Sequence, residues 1–328
     1  MLKLKIINSK TFNPYENLAM EEYLLNNVSK DEIILYLWQN NNTIVIGQNQ
    51  NPWLQCNVEY SNENDILIAR RLSGGGTVFH DLGNLNYTII TTNNNFNIDK
   101  NFKLIINAIK KLGVNPERSG RNDIIVGNKK ISGVAFYSDS NNSYQHGCIL
   151  VNTDLDRMFQ CLNVKEDKIV GKGIDSVRSR VMNLCELESN ISPESLSVII
   201  QNEFRTFYDD EIVSIEIDKE SMTEYNKLFK KYSSWEWNMG RQMKSQMSMY
   251  KRFPWGDCNI ILDNHNGYIS DVGIYSDSLE TEVFHKIEKA LKGVKFLKKD
   301  ICNSICIKND QTSISKDIAD WIYTECKI

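Results

Sequence analysis

The pattern of apolar and polar positions predicts a chain of mixed strands and helices. Apolar residues recur at the helical period between Lys100 and Leu112, at positions 102, 105, 106, 109 and 112. Helices are predicted at Pro14–Leu25, Lys100–Leu112, Asp154–Leu162 and Ser192–Phe207. Strands are predicted at Met1–Ile7, Ile33–Trp38, Thr43–Gly47, Asp65–Ala69, Asn86–Thr91 and His146–Val151. The strands at 33–38 and 43–47 are expected to pair as a hairpin across Asn40–Asn42.

Gly127-Asn128 separates two β-prone runs and is a two-residue hairpin signal. Lys130 then stands near the start of the returning strand. Strict alternation predicts that Lys130 and Ser132 share one face of this strand. The opposite face is expected to carry Lys129, Ile131 and Gly133. An ordinary solvated lysine is the alternative interpretation at both lysine positions.

The last quarter of the chain is predicted to form a separate small α+β domain. Its expected elements are strands at Cys258–Leu262 and Gly267–Ile274, a helix at Thr281–Leu291, a strand at Ile301–Ile307 and a helix at Ile314–Cys326. The predicted organisation is a main domain at 1–243, a linker at 244–252 and a C-terminal domain at 253–328. A domain of roughly 75 residues is large enough to fold on its own.

The segment Arg70–Asp81 joins an arginine pair to three consecutive glycines, Gly74 to Gly76, and lies between two predicted strands. Glycine lets the backbone N–H groups approach a bound group, and arginine grips phosphate or carboxylate oxygens with paired hydrogen bonds. The segment therefore predicts an anion-binding loop, although a plain flexible loop is the alternative. The spacing matches neither the P-loop nor the dinucleotide-binding fingerprint.

Composition narrows the class of protein. The hydrophobic share of 41%, the charged share of 24% and the net charge of −4 are typical of a globular protein and do not indicate a nucleic-acid or membrane-surface partner. No apolar run approaches the roughly 20 residues that span a bilayer, and the N-terminus lacks a signal-peptide pattern. A cytoplasmic location is expected.

The eight cysteines and four histidines show no spacing typical of a metal cage. Cys302 and Cys306, placed in the predicted strand, are expected to lie about 13 Å apart on one face, too far apart for a disulfide. Reduced thiols are therefore expected throughout.

Several short segments, each weak alone, follow one another in a specific order. They are Asn17–Glu22, Leu37–Asn40, Gln50–Trp53, Arg70–Asn84, Gly120–Asp123, Lys130–Gly133, His146-Gly147, Ser176–Leu184 and Ser233–Gly240. Together they resemble the lipoate–protein ligase A family in its two-domain bacterial form, and the resemblance covers the whole chain. It implies an α+β fold, with a biotin/lipoate–protein ligase-like mixed-sheet catalytic domain and a small α+β C-terminal accessory domain.

The resemblance also implies an ATP-dependent ligase. Lipoate is activated to lipoyl-AMP with ATP and Mg²⁺, and the lipoyl group is then transferred to a specific lysine, as in lipoate salvage. The implied partners are apo lipoyl domains of 2-oxoacid dehydrogenase acyltransferase subunits or the glycine-cleavage H protein.

By resemblance, Lys130 is the central catalytic residue and touches both the nucleotide phosphate and the lipoyl carbonyl oxygen. The implied nucleotide-binding residues are Arg71, Gly76, Thr77, Val78, Phe79 and Lys130. The implied lipoate-binding residues are Lys130, Ser73, Gly74, Gly75 and His146. Asn122 and Asp123 belong to the phosphate region, with Asp123 as a candidate Mg²⁺ ligand, and an Asx-type turn is the alternative for both.

Two positions depart from the family pattern. Gln48-Asn49 stands where relatives often carry a basic residue, and Cys148 stands where ligases usually carry threonine or serine. Acyltransferases on this scaffold use a cysteine nucleophile and no ATP, which makes an octanoyl or lipoyl transferase the first alternative. A catalytically inactive lipoyl-domain-binding relative is the second. Biotin–protein ligase is disfavoured because its Gly-Arg-Gly-Arg-type loop is absent from the sequence.

Overall fold

The computed structural model describes residues 2–162, 180–208, 212–214, 223–240, 247–265, 267–308 and 313–325. The chain forms two compact units. The first comprises Met1–Ile46, Pro52–Leu72 and Thr77–Asn238, and the second comprises Met239–Ile328 together with two short segments, Gly47–Asn51 and Ser73–Gly76. The family motif at Ser176–Ser179 and the first three residues of the predicted linker, 244–246, lie outside the described residues.

Two sheets form the framework of the first unit. Its strands are β1 (Lys3–Asn8), β2 (Glu32–Trp38), β3 (Thr43–Ile46), β4 (Leu67–Arg70), β5 (Val78–His80), β6 (Asn84–Thr92), β7 (Pro116–Ser119), β8 (Asp123–Val126), β9 (Lys129–Ser138), β10 (Asn142–Leu150) and β11 (Ile212–Ser214). The larger sheet is mixed and has the order β11-β1-β2-β6-β10-β9-β8-β7. The smaller sheet has the order β4-β3-β5.

Helices cover both faces of the larger sheet. The helices of the first unit are α1 (Pro14–Asn27), α2 (Pro52–Gln55), α3 (Val58–Glu63), α4 (Ile98–Lys110), α5 (Leu155–Cys161), α6 (Pro193–Tyr208), α7 (Thr223–Ser233) and α8 (Trp235–Asn238). Phe102 of α4 and Phe204 of α6 pack into the core on one face of the sheet. Leu18 of α1 and Tyr232 of α7 pack into the core on the other. Each of these helices buries one apolar stripe against the sheet, as the sequence pattern predicts for α1, α4 and α6.

Strand β2 is buried over its whole length because it lies in the middle of this sandwich. Leu35 and Leu37 point into one core, whereas Tyr36 and Trp38 point into the other. The predicted hairpin between residues 33–38 and 43–47 is wrong. Both edges of β2 are taken by β1 and β6, so β3 pairs with β4 and β5 in the smaller sheet.

The second unit is an antiparallel sheet covered by helices, in agreement with the predicted α+β class. Its strands are β12 (Met247–Phe253), β13 (Gly256–His265) and β14 (Tyr268–Ser276), and its helices are α9 (Glu282–Leu291), α10 (Lys298–Lys308) and α11 (Ser313–Glu325). Residues 247–252, assigned to a linker from the sequence, are part of β12 and pair with β13. Among the described helices of the chain, none is long and apolar enough to cross a membrane.

The predicted strand at 301–307 is also wrong, because these residues lie in helix α10. Ile301 and Ile305 are both fully buried, and their four-residue spacing suits a helix as well as a strand. Cys302 and Cys306 are therefore one helical turn apart rather than about 13 Å apart, and both are free thiols.

Candidate active site

Lys130 lies at a β-bulge that the local sequence pattern does not predict. Strands β8 and β9 pair Ile125 with Lys130 but Ile124 with Ser132, so Ile131 is an extra residue at a β-bulge. The backbone N–H of Lys130 donates to the carbonyl of Arg180 (2.7 Å), and its carbonyl accepts from the N–H of Met182 (3.0 Å). The bulge and this second pairing fix the backbone of Lys130.

The side chain of Lys130 extends over Gly133 and meets Asp123. A Cβ at Gly133 would lie 3.2 Å from both Cε and Nζ of Lys130, so glycine leaves the room that this side chain occupies. The ammonium Nζ is 2.7 Å from Oδ1 of Asp123, and both side chains are 36% exposed. Strict alternation placed Lys130 on the face opposite Gly133, and that prediction is wrong because the bulge interrupts the alternation.

A row of directly opposed residues crosses the sheet from this lysine. Asp123 pairs with Gly133, Gly133 with Cys148, Cys148 with Asn86, and Asn86 with Trp38. Exposure falls along the row. Gly133 and Cys148 are partly exposed, whereas Asn86 and Trp38 are 1% and 4% exposed. The row therefore leads from a solvent-reachable ion pair into the interior.

His146 belongs to a buried hydrogen-bonded chain beside this row. Its Nδ1 is 2.8 Å from Oε1 of Glu21, which comes from helix α1. The same carboxylate oxygen accepts from the hydroxyl of Thr88 (2.7 Å), and that hydroxyl accepts from the indole N–H of Trp38 (3.0 Å). The ring of His146 also packs on Tyr144 at a centroid distance of 5.0 Å. These hydrogen bonds hold the side chains of His146 and Trp38 in fixed orientations.

The two arginines of the Arg70-Arg71 pair have different surroundings. Arg70 binds helix α8, because its Nε donates to the carbonyl of Trp237 and its Nη2 donates to that of Asn238, both at 2.9 Å. The indole of Trp237 donates back to the carbonyl of Arg70. Arg71 is buried and donates to the carbonyl of Val45. Burial lowers the pKa of Arg71 to about 10, which leaves the guanidinium charged at neutral pH.

The triglycine segment belongs to the second unit, where it packs backbone against backbone. The N–H of Gly75 donates to the carbonyl of Ser278 (2.9 Å), and Gly75 adopts a positive φ of 89°. A Cβ at Gly74 would lie 2.1 Å from the Ser278 carbonyl oxygen. The glycines at 74 and 75 are thus explained by close backbone packing, and the N–H of Gly75 is bonded to protein. Ser73, the other residue predicted here for lipoate, is buried in the same segment.

The residues that follow the triglycine segment enter the smaller sheet. Val78 pairs with Val45, and Phe79 pairs with Ile44 in the core of that sheet. The Phe79 side chain is 1% exposed, so it is closed to solvent. Thr77 is partly exposed and Gly76 is exposed. Asn122 occupies the turn before β8, and its carbonyl accepts from the N–H of Val134.

Cys148 does not have the environment of an activated nucleophile. Burial raises the pKa of its thiol, and the positive charges of Lys130 and Arg71 offset only part of that effect. A thiol with a raised pKa carries little thiolate at neutral pH.

Sequence reasoning assigned no role to Glu21, Thr88, Trp38 or Asn86. Glu21 and Trp38 lie in segments that carry the family resemblance, so a signal for them existed. Thr88 and Asn86 lie in an apolar strand, and only the register of β6 with its neighbours places them beside His146 and Cys148.

Comparison with known proteins identifies the family of this chain. Residues 13–205 match the family model of the lipoyl protein ligase A/B catalytic domain, and residues 242–322 match that of the bacterial lipoate protein ligase C-terminus. A lipoate-protein ligase A from Psychrobacter cryohalolentis is 40% identical over 99% of both chains.

Solved structures show the same relationship. The structure of P. falciparum LipL1 in complex with lipoate has 30% identity and a TM-score of 0.85, and the match covers 99% of this chain and 100% of that chain. The structure of a lipoate-protein ligase A bound with ATP has 26% identity and a TM-score of 0.64, and the match covers 74% of this chain and 99% of that chain.

The fold and the family matches define a ligase of the lipoate-ligase fold. This chain belongs to the lipoate–protein ligase family. The resemblance, the fold class and the ligase class predicted from the sequence are thereby confirmed.

Proposed function

We propose that this ligase uses ATP to activate lipoate and then transfers the lipoyl group to a lysine of a lipoyl domain. In the first step a lipoate carboxylate oxygen attacks the α-phosphorus of ATP, the bond to the bridging oxygen breaks, and pyrophosphate leaves. In the second step a lysine amine attacks the acyl carbonyl of lipoyl-AMP, loses a proton, and AMP leaves. The observation that carries this proposal is the Lys130–Asp123 pair over Gly133, within a chain of this family.

Lys130 supplies the positive charge that both steps require. Negative charge develops on phosphate oxygens in the first step and on the acyl oxygen in the second. A preorganised ammonium beside those atoms stabilises both transition states more than it stabilises the reactants. Its ion pair with Asp123 is half-exposed, so the ammonium can exchange this carboxylate for a substrate oxygen at small cost.

Among the described residues, Asp123 is the candidate ligand for Mg²⁺. In the described part of the chain, no cluster of three or more His, Cys, Asp or Glu residues could hold a metal by itself. Mg²⁺ commonly binds through one or two carboxylates together with substrate phosphates and water, and a single partly exposed aspartate meets that need. Bound there with ATP, the ion would neutralise phosphate charge. Asn122 precedes Asp123 in the turn and would orient the same phosphates.

The remaining site assignments complete the proposal. Arg71 and the backbone of 77–79 would contact the nucleotide, while His146 would contact lipoate. The buried charge of Arg71 supports the first assignment, and the buried Glu21–His146 pair beside Trp38 supports the second. The acceptor would be the apo lipoyl domain of a 2-oxoacid dehydrogenase acyltransferase subunit or of the glycine-cleavage H protein, in a lipoate salvage reaction.

The cysteine acyl-enzyme mechanism is less well supported. It requires a thiolate at Cys148, and burial raises the pKa of this thiol. The match to the ligase C-terminal family also favours the ATP-dependent reaction.

The test is to incubate the full chain with lipoate, Mg-ATP and an apo lipoyl domain and to follow the intact mass of the acceptor. We expect a lipoyl mass gain that requires ATP, together with release of pyrophosphate. Transfer from an acylated carrier protein without ATP would establish the cysteine mechanism instead. Absence of any gain, with every acceptor class supplied, would contradict both.

A further inference from the structure

Asn86 is a buried amide that has no hydrogen-bond partner in the described part of the chain. Its side chain is 1% exposed, and neither Oδ1 nor Nδ2 has a partner among the described residues. A buried polar group without a partner destabilises a fold, so natural proteins seldom keep one without a use. Apolar side chains fill neighbouring positions of β6, and leucine or valine would fit this strand equally well by propensity.

Asn86 lies at a defined distance from the charged end of the site. It is two strands away from Gly133, over which Lys130 extends, with Cys148 between them. Neighbouring strands are about 4.8 Å apart, so Asn86 is roughly 10 Å from Gly133 across the sheet. That separation is comparable to the length of an extended lipoyl chain.

The surroundings of Asn86 are otherwise apolar or aromatic. Trp38 is directly opposite on β2, and its indole N–H is already donated to Thr88. His80 packs edge-on against Trp38, and burial lowers the pKa of His80 to about 3, so this ring is neutral. Nε2 of His80 also has no hydrogen-bond partner among the described residues, but Asn86 is the unpartnered polar group on the row itself.

We propose that Asn86 selects lipoate over octanoate, the sulfur-free acid of the same chain length. The inference rests on the proposed function, in which the carboxylate of the acid meets Lys130. The dithiolane end of lipoate then reaches Asn86, where the Nδ2–H group donates to a dithiolane sulfur, a weak acceptor. Octanoate covers the same amide with a methyl end and leaves it without a partner, which disfavours its binding.

The test compares the two acids in the full chain and in Asn86→Leu. The specificity ratio is the kcat/KM for lipoate divided by that for octanoate, measured as acid-dependent pyrophosphate release. We expect this ratio to fall about tenfold in Asn86→Leu, the scale of one modest hydrogen bond. Asn86→Ala removes the same amide with a smaller side chain and should shift the ratio in the same direction.

Gln145→Met is the matched control. Gln145 is also a fully buried amide, but it lies between Tyr144 and His146 on β10, so it points to the opposite face of the sheet. Its substitution should leave the specificity ratio at the wild-type value. An unchanged ratio in an active Asn86→Leu variant, or an equal fall in Gln145→Met, overturns the role of Asn86.

Binding separates this inference from the proposed function. Titration calorimetry with each acid, without ATP, gives a ratio of dissociation constants that should also fall in Asn86→Leu. If the wild-type chain releases no pyrophosphate, the proposed function fails. The ratio of dissociation constants then decides alone whether Asn86 recognises the dithiolane.

Discussion

Replacing Lys130 by alanine should abolish most ligase activity while leaving the protein folded. The substitution removes the ammonium that lies over Gly133 and 2.7 Å from Asp123. Lys129→Ala is the matched control, because it removes the same side chain one position earlier on the same strand. The two variants carry the same net charge, so a difference between them reports position rather than total charge.

The two expected magnitudes follow from exposure and chemistry. Both members of the Lys130–Asp123 pair are 36% exposed, and such pairs contribute at most about 1 kcal/mol to the free energy of unfolding. Loss of a preorganised donor to a developing negative charge lowers kcat by about 100- to 1000-fold, or roughly 3–4 kcal/mol of transition-state stabilisation. Activity should therefore fall far more than stability.

The assay is ATP-dependent pyrophosphate release with lipoate, followed by the intact mass of an apo lipoyl domain. Thermal unfolding of each variant gives the stability change in parallel. Lys129→Ala should stay close to the wild-type rate. Equal losses in the two variants would refute the assignment of Lys130, and a loss of activity that only tracks unfolding would show that the ion pair is structural.

Three further predictions test the surrounding structure. In Gly133→Ala the new Cβ lies 3.2 Å from Cε and Nζ of Lys130, so the ammonium is displaced. The kcat should fall about tenfold or more with little change in melting temperature. An unchanged kcat would show that the position of the ammonium over residue 133 does not matter. Cys148→Ser should retain ATP-dependent transfer, because burial raises the pKa of this thiol; complete loss would support the cysteine mechanism. Burial raises the pKa of Glu32, but the hydrogen bonds from Lys5 and Ser29 outweigh burial, so the pKa is lowered in the folded state. The ionised carboxylate therefore stabilises the fold at pH values above the unfolded-state pKa of 4.5, and this stabilisation is lost as the pH falls through the folded-state pKa. Chemical denaturation should therefore show Glu32→Gln less stable than wild type at pH 7 and the difference vanishing in acid, whereas a constant difference would contradict this linkage.

Helix and strand predictions succeeded where the periodic pattern had one physical interpretation. The apolar residues between Lys100 and Leu112 form one helical stripe, and helix α4 buries it against the sheet. The segment at 301–307 failed because Ile301 and Ile305 suit either a helix or a strand. The contacts of α10 with its neighbouring helices decide between them, and those contacts come from residues distant in the sequence.

Part of the candidate site could likewise be predicted from the sequence, and part could not. Lys130, Asp123 and Gly133 could be named from the order of motifs along the chain, and the hairpin at Gly127-Asn128 brings β8 and β9 together locally. The bulge that directs Lys130 over Gly133 could not be foreseen, because it depends on which residues of β8 and β9 pair and on the second pairing of Lys130 with residues 180–182.

The sequence by itself therefore determined the family and the α+β fold class. Those properties depend on local pattern and on the order of motifs, which are written along the chain. Only the tertiary structure decided that Asn86, Cys148 and Gly133 form one row beside Lys130, and that the N–H of Gly75 is bonded to Ser278. These juxtapositions depend on strand register and backbone packing between distant segments, and no single segment encodes them.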